Sequence, residues 1–366
     1  MEFIIGRDEL LKAVQRAQGV VAAKGPMPIL ANVLIEAEDD GIKMFATNLD
    51  IGLKGTYKAN VSSKGQVSVQ AKKLHDIVKE LPPDDVFVKL DDDGRCRLNC
   101  GKSRFNLATI NTDDFPSFPR FDESKFVNLD RNMIGEMIRK TSYAISQDET
   151  RLTLNGASLE VSKSSVRMVA TDGHRLAFIE REGVVGIDTP CKMIVVKKAI
   201  NELSKLISES EGPLRFVQHD NHLILDIDSL YMSVRLIEGA YPNYEQVIPK
   251  GSESTAVIST AELVQGLRRV VTLADEKSHM IRFSFTSGKL EMVSEGGDVG
   301  EARDEVPIDF DGADITIGLN GNYVIDLLGI INNEKVEIRM KDQLSPVVAK
   351  SPDDEGLLCL VMPMRL

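Results

Sequence analysis

The feature that most constrains this chain is an internal repeat. Three segments, Arg7 to Gln18, Arg131 to Ser142 and Ala261 to Thr272, space their apolar residues at a helical period, for example Leu10, Leu11, Val14 and Ala17, or Met133, Met137 and Ile138. Each predicts an amphipathic helix. A polar turn follows, and then two apolar stretches rich in β-branched residues: Ile29 to Ala37 with Ile42 to Ala46, Thr153 to Val161 with Val166 to Ala170, and Met280 to Phe285 with Lys289 to Val293. Each pair predicts a hairpin. The second stretches run into Thr47-Asn48-Leu49-Asp50, Thr171-Asp172-Gly173-His174 and Ser294-Glu295-Gly296-Gly297, offset by 124 and then 123 residues. A period of that size is a triplicated domain, which restricts the fold to one repeated architecture.

Within each unit the pattern recurs more loosely as a strand, a helix and further strands. The second helices are expected over Lys72 to Leu81, Lys197 to Ile207 and Gly321 to Ile331, introduced by strands at Gln66 to Gln70, Met193 to Val196 and Ile315 to Leu319. Turn-forming residues cluster from Asp113 through Pro119 and from Tyr241-Pro242 through Pro249-Lys250-Gly251-Ser252. The chain of 366 residues is then three α+β domains, 1–124, 125–250 and 251–366, each with two amphipathic helices packed on antiparallel sheets.

The net charge of −12 argues against a protein that grips nucleic acid over its whole surface, because phosphate binding depends on concentrated Lys and Arg. The charge is segregated, however. Basic residues outnumber acidic ones on the expected helices, through Lys72-Lys73, Arg139-Lys140, Lys197-Lys198 and Arg268-Arg269. Lysines that merely solvate helix surfaces would give a similar bias. If equivalent domains present their helices on one side, the same residues make a basic lining that attracts phosphates without reading bases. No helix combines basic residues with a base-recognition pattern.

Motifs for chemistry are missing. Gly94-Arg95-Cys96-Arg97-Leu98-Asn99-Cys100-Gly101-Lys102-Ser103 has six residues where a phosphate-binding loop has four, and Arg95 to Cys100 and Arg104 to Ile110 read as strands, so Gly101-Lys102 is a hairpin turn. Asp91-Asp92-Asp93 before Gly94 reads as a solvated turn, and His219 and His222 beside Asp220 and Asn221 as a hairpin tip. Cys96, Cys100, Cys191 and Cys359 read as reduced thiols without a zinc-ligand set. Asp172 and His174 with Ser164 or Ser165 lack a nucleophile elbow. The expectation is a protein with no catalytic residue, no cofactor and no metal. The alternatives are an enzyme built on the Thr171 to Arg175 cluster, and a monomeric peptide-binding scaffold with no role on DNA. No apolar run is long enough to span a bilayer, and the first residues lack a signal-peptide pattern, so a cytoplasmic protein with no membrane partner is expected.

Ala170-Thr171-Asp172-Gly173-His174-Arg175-Leu176-Ala177 and the terminal Val361-Met362-Pro363-Met364-Arg365-Leu366 closely resemble the beta sliding clamp family of bacterial DNA polymerase III. The likeness runs the full length and includes Pro28-Ile29-Leu30, Ser103-Arg104-Phe105, Leu154-Asn155-Gly156, and Tyr241-Pro242 leading to Ile248-Pro249. It implies a homodimer closed head to tail into a six-domain ring around duplex DNA, a processivity factor that tethers replicative and translesion polymerases, the clamp loader and repair proteins. The implied dimer patches contain Phe105 and Leu107 in the first domain and Thr272 and Leu273 in the third. The implied peptide pocket, between the second and third domains, takes in Leu154, Thr171, Gly173, His174, Arg175, Leu176, Pro242, Val247, Asn320, Tyr323, Met362, Pro363, Met364 and Arg365. Apolar side chains there would anchor a peptide and the polar ones orient it. The implied DNA-facing residues are Lys24, Lys73, Gln147, Arg151, Lys197 and Lys198. Gln246 departs from the family's usual arginine in the connector, which removes a charged donor fork from the pocket rim.

The C-terminus adds one expectation of its own. Leu360 and Val361 should complete the last strand, whereas Pro363 cannot donate to a ladder, so Met362 to Leu366 should leave the sheet and line the pocket.

Overall fold

The computed structural model describes residues 1–22, 27–183, 186–187, 189–296 and 300–366. Six α-helices lie among them: α1 (Arg7–Val20), α2 (Ala71–Glu80), α3 (Arg131–Thr141), α4 (Lys197–Glu209), α5 (Thr260–Val271) and α6 (Gly321–Leu328). All six expected helices are present, each beginning within one residue of the expected start. Their apolar stripes face inward; α1 buries Leu10, Ala13, Val14, Ala17 and Val20, and keeps Asp8 and Glu9 in the first turn, where the helix dipole favours negative charge. Helix α6 stops at Leu328, three residues short of the expected Ile331, because Gly329 takes the C-cap and turns the chain so that Ile331 is buried outside the helix.

The expected hairpins form, with one correction shared by two repeats. Pro28–Ala31 and Leu152–Asn155 are 3-10 turns, and the strands begin after them, at Asn32–Glu38 and Gly156–Val161. In the first repeat Pro28 explains this, since it fixes φ and offers no N–H to a sheet.

The chain packs as two compact units, Met1–Asn132 with Asn201–Leu236, and Met133–Ile200 with Ile237–Leu366. The first holds a five-stranded sheet, which ends on the edge strand Ser103–Leu107, and a nine-stranded one. In the nine-stranded sheet Ile51–Tyr57 of the first repeat pairs antiparallel with Leu230–Arg235 of the second, from Ile51↔Val234 to Gly55↔Leu230. The second unit holds a twelve-stranded sheet with an equivalent junction: Arg175–Glu182 pairs with Asp354–Val361, from Arg175↔Val361 to Ile179↔Leu357. Successive repeats are thus joined by continuous hydrogen-bonded sheet.

Residues 101 and 102 form the turn of a hairpin closed by Cys100↔Ser103, which disposes of the phosphate-loop alternative. His219 and His222 flank another hairpin tip, as expected. The four cysteines are free, and no group of three or more metal-ligating side chains occurs among the described residues. No described helix is long and apolar enough to cross a membrane.

Candidate functional site

The site is built on the junction between the strands Arg175–Glu182 and Asp354–Val361. Behind it Val169, Leu176, Ile194, Tyr241, Tyr244 and Leu360 form a buried cluster, with Leu154, Phe178 and Met362 packed at its margin. Tyr241 is fixed there by a hydrogen bond, the backbone N–H of Thr171 donating to its hydroxyl oxygen at 3.1 Å, and burial pushes that hydroxyl's pKa well up. The core therefore holds the hairpin turn 171–175 rigidly against the last strand.

That turn is tightly bonded. Thr171 Oγ1 donates to the Arg175 carbonyl at 2.6 Å, and Asp172 Oδ1 accepts from the backbone N–H groups of His174 and Arg175. Gly173 sits at φ +88°, a conformation in which a side chain would be strained. The equivalent turn of the first repeat uses the same device: Thr47 Oγ1 donates to the Ile51 carbonyl, and Asn48 Oδ1 accepts from Asp50 and Ile51. Bonds shared in this way belong to the fold, which removes the case for reading Thr171 to Arg175 as a catalytic cluster. Ser165 begins the strand that Thr171 ends, so it lies about 20 Å away at the usual strand rise, out of reach of His174.

Beside the turn opens an apolar cavity of about 160 Å³. Of the residues expected in a pocket, Leu154, Thr171, Gly173, Arg175, Leu176, Pro242, Val247 and Met362 wall it. Three residues that the sequence did not single out as site residues join them: Asn243, Tyr244 and Leu360. The first two lie in the connector, whose sequence reads only as turn-forming, and Leu360 sits in an unbroken apolar run, Leu357 to Val361, that reads as core throughout.

Two of the remaining expected residues, His174 and Tyr323, meet beside Arg175 of the cavity wall. The His174 ring stacks on Tyr323 with centroids 6.5 Å apart, and the Arg175 guanidinium lies 4.4 Å from the Tyr323 centroid. Asn320 caps α6, its side chain accepting from the N–H groups of Asn322 and Tyr323. The tail leaves the sheet at Val361, as expected. Met362 donates its N–H to the His174 carbonyl and Met364 to the Gly318 carbonyl, each at 2.8 Å, so the chain beyond the last strand is tied down on both sides. Met364 therefore lies against Gly318, where an added Cβ would meet its carbonyl oxygen at 2.9 Å. Met362 is the residue of the tail that walls the cavity; Pro363, Met364 and Arg365 do not.

The expected dimer residues sit on two unfinished surfaces. Phe105 and Leu107 are half-buried on Ser103–Leu107, whose outer edge is unpaired among the described residues, with Lys102 and Arg104 beside them. Thr272 caps the C-terminus of α5, donating Oγ1 to the Arg269 carbonyl, and Leu273 follows half-buried. Near them the strand Glu301–Asp311 pairs with Lys289–Glu295 along Glu301 to Pro307, on one side only among the described residues, and that stretch carries Glu301, Asp304 and Glu305.

Of the expected DNA-facing residues, Lys24 lies outside the described residues, as does Gly297 of the third turn motif. Lys73 is exposed on α2 and Gln147 is exposed in the loop after α3. Lys198 is half-buried. Arg151 is already engaged, bonding the Asp172 carbonyl at 3.1 Å and lying 3.5 Å from Asp148. Lys197 reaches the Ile145 carbonyl at 3.4 Å; burial, and then the charge of Arg175, lower its pKa. The helix charge count also needs correcting. Lys140 is buried, only 9% exposed, and pairs with Glu136 and Asp354, while Arg269 pairs with Asp304, so neither is a free cation on a lining. A count along a helix cannot tell a solvated lysine from one committed to a carboxylate in another strand.

Comparison with known proteins gives matches along the whole chain. Three family models align in order: DNA polymerase III beta subunit N-terminal domain over residues 1–119, central domain over 128–243 and C-terminal domain over 245–365. The beta sliding clamp of Pseudomonas putida is 32% identical and that of Caulobacter vibrioides 33%, each alignment covering 100% of both chains. A crystal structure of the DNA polymerase III subunit beta from Pseudomonas aeruginosa superposes with a TM-score of 0.95 at 32% identity, covering 100% of both chains.

Proposed function

The chain belongs to the DNA polymerase III beta subunit family, the bacterial beta sliding clamps, and on that premise we propose which of its residues carry the family's task. It is a non-catalytic processivity subunit. As a head-to-tail dimer it encircles duplex DNA and tethers polymerases, the clamp loader and repair proteins. The observation that carries the assignment of the tethering site is the apolar cavity beside Arg175 and Met362, placed where two repeats share one sheet. Leu154, Leu176, Pro242, Val247 and Met362 would take the apolar anchors of a partner peptide, and His174, Arg175, Asn320 and Tyr323 would orient it. Met suits a site with several partners because its side chain repacks.

The three repeats 1–124, 125–250 and 251–366 serve as its domains. For the dimer, the basic edge around Phe105 and Leu107 would meet the acidic edge beside Thr272 and Leu273 of a second copy. A contact of that kind uses unlike patches and closes only when the rotation permits. It also covers two strand edges that would otherwise invite uncontrolled pairing. Lys73 and Gln147, with Lys24, Lys197, Lys198 and Arg151, would face the DNA through its phosphates alone, giving weak, salt-sensitive contact compatible with sliding. The protein would work in the cytoplasm, at the nucleoid.

Retention on DNA tests the reading. Clamps assembled on nicked circular DNA should stay bound through gel filtration and run off when the circle is linearised. Equal retention on circular and linear DNA would overturn the topological mechanism. A protomer mass in solution, in place of the dimer, would favour the monomeric scaffold.

A further inference from the structure

Two further cavities extend from the apolar pocket along the connector 246–253. The nearer one, of about 590 Å³, shares Val247 and Met362 with the pocket and is walled further on by Lys250 and Lys341. It opens in turn onto a deeper cleft of about 280 Å³, with which it shares Pro249, Lys250, Lys341 and Pro346. The deeper cleft adds Arg339 and Lys350 to the wall, so four cations from the connector and from two strands and their loop converge on one hollow of a protein whose net charge is −12.

The carboxylates nearby are otherwise engaged or few. Glu337 pairs with Arg339. Asp342 accepts from the N–H groups of Leu344 and Ser345 and from the Ser345 hydroxyl, which closes its own turn. Glu253 lies on the wall of the middle cavity. Among the described residues no carboxylate lies within ion-pair distance of Lys250, Lys341 or Lys350. Three lysines therefore line the hollow without an ion-pair partner among the described residues; Glu337 stands opposite Lys350 across the sheet and Glu253 and Asp342 lie nearby, and the local excess of positive charge is what an incoming anion would complement.

We propose that this cleft is a second recognition element of the tethering site, which takes aspartate or glutamate side chains flanking the apolar anchor of a bound partner peptide. The inference rests on the pocket reading above and deepens it. Continuity decides for a peptide: a chain anchored against Val247 and Met362 enters the middle cavity directly and reaches Lys250 and Lys341 within a few residues at the extended-strand rise. Gln246, at the rim of the middle cavity, supplies no charge, so charge selection falls on the lysines beyond it. Apolar anchors would set whether a peptide binds, and the cleft would rank one partner against another.

The test compares two fluorescein-labelled peptides with the same leucine and phenylalanine anchor, one flanked on both sides by Ser and Gly and one by Asp and Glu. Each is titrated by anisotropy against the full-length dimer at low and high salt, and against the double variants Lys250→Glu/Lys341→Glu and Lys250→Gln/Lys341→Gln. The acidic flank should tighten binding by roughly three- to tenfold at low salt, as expected for two or three exposed ion pairs, with the ratio between peptides falling towards one at high salt and in the Gln variant and inverting in the Glu variant. Binding of both peptides with equal affinity to the wild-type protein overturns the cleft while leaving the pocket standing. Failure of the neutral-flanked peptide to bind at all overturns the pocket reading. Displacement of the acidic peptide, but not the neutral one, by a short DNA duplex would reassign the cleft to a phosphate backbone.

Discussion

The guanidinium of Arg175 lies over the Tyr323 ring, 4.4 Å from its centroid, and bonds Asp172 at 3.0 Å and Asp326 at 2.5 Å. One side chain thereby links the pocket turn to helix α6. Burial alone would lower its pKa, but the bonds to Asp326 and Asp172 outweigh that and hold it above the usual arginine value, so it stays charged at any working pH.

Replacement of Arg175 by alanine should weaken binding of a neutral-flanked apolar peptide by about 1–2 kcal/mol, roughly five- to thirtyfold, because the pocket loses a wall and the Tyr323 stack loses its cation. Arg175→Lys keeps the charge but not the planar fork, and should recover only part of the loss. Isothermal calorimetry checks both. Unchanged affinity in Arg175→Ala would show that the guanidinium serves only the turn.

A second charged group joins the same two repeats further along the sheet. Arg181 and Lys140 share the carboxylates of Glu136 and Asp354 at 2.6 to 2.8 Å. The bond from Arg181 chiefly lowers the pKa of Glu136, and at Asp354 burial pushes upward but is outweighed by Arg181 and Lys140, so both stand below their ordinary values of 4.5 and 3.8. A carboxylate with a depressed folded pKa contributes stability above its unfolded pKa and loses it as pH falls through the folded one. Asp354→Asn should therefore cost about 2–4 kcal/mol at pH 7, since two cations lose a shared partner, with the gap to wild type closing below about pH 4. Urea unfolding at pH 7 and pH 3.5 measures this, and a gap independent of pH would place the cost in packing.

The triplicated helix-and-hairpin pattern was legible because its apolar periodicity survives in every copy, and the junction turn was legible through Thr171-Asp172-Gly173-His174. What the sequence hid is partnership between distant segments. Lys140 reads as a surface cation because Asp354, 214 residues away, cannot be seen beside it. The pairing of Ile51–Tyr57 with Leu230–Arg235 likewise leaves no local mark, as both strands alternate like any others. Tyr244 stays hidden in the same way, since a connector rich in turn-formers gives no hint that its ring enters a core.

At the dimer patches, Thr272→Glu with Leu273→Asp should give stable monomers in analytical ultracentrifugation, since a buried charge without a partner costs several kcal/mol. Arg104→Glu, which alters only the charge of the opposite edge, should weaken the dimer less and in a salt-dependent way. A dimer unchanged by the double substitution would remove Thr272 and Leu273 from the interface.

The last expectation concerns the tail. Met362 walls the cavity and donates to the His174 carbonyl, while Met364 bridges to Gly318, so the five terminal residues are tied to the two sides of the site without entering the strand Asp354–Val361. Deleting Met362 to Leu366 removes the last bond of the ladder, Met362 to His174, and the Gly318–Met364 bridge, but should spare the sheet, because the register pairs from Leu357 to Val361 precede the cut; it should abolish measurable peptide binding, because the cavity loses a wall and the turn at His174 loses its partner. Met362→Ala separates the two effects: it keeps the backbone bond to His174 and removes only the side chain, so affinity should fall by roughly tenfold, in the range for truncating one apolar anchor contact. Gly318→Ala provides the complementary case, since its new Cβ would push against the Met364 carbonyl and displace the tail without touching the cavity wall. Fluorescence titration of the three variants, with circular dichroism and sedimentation to confirm fold and dimer, ranks them. If the truncated protein binds the peptide as tightly as the intact one, the tail is a structural strap and Met362 has no part in the site.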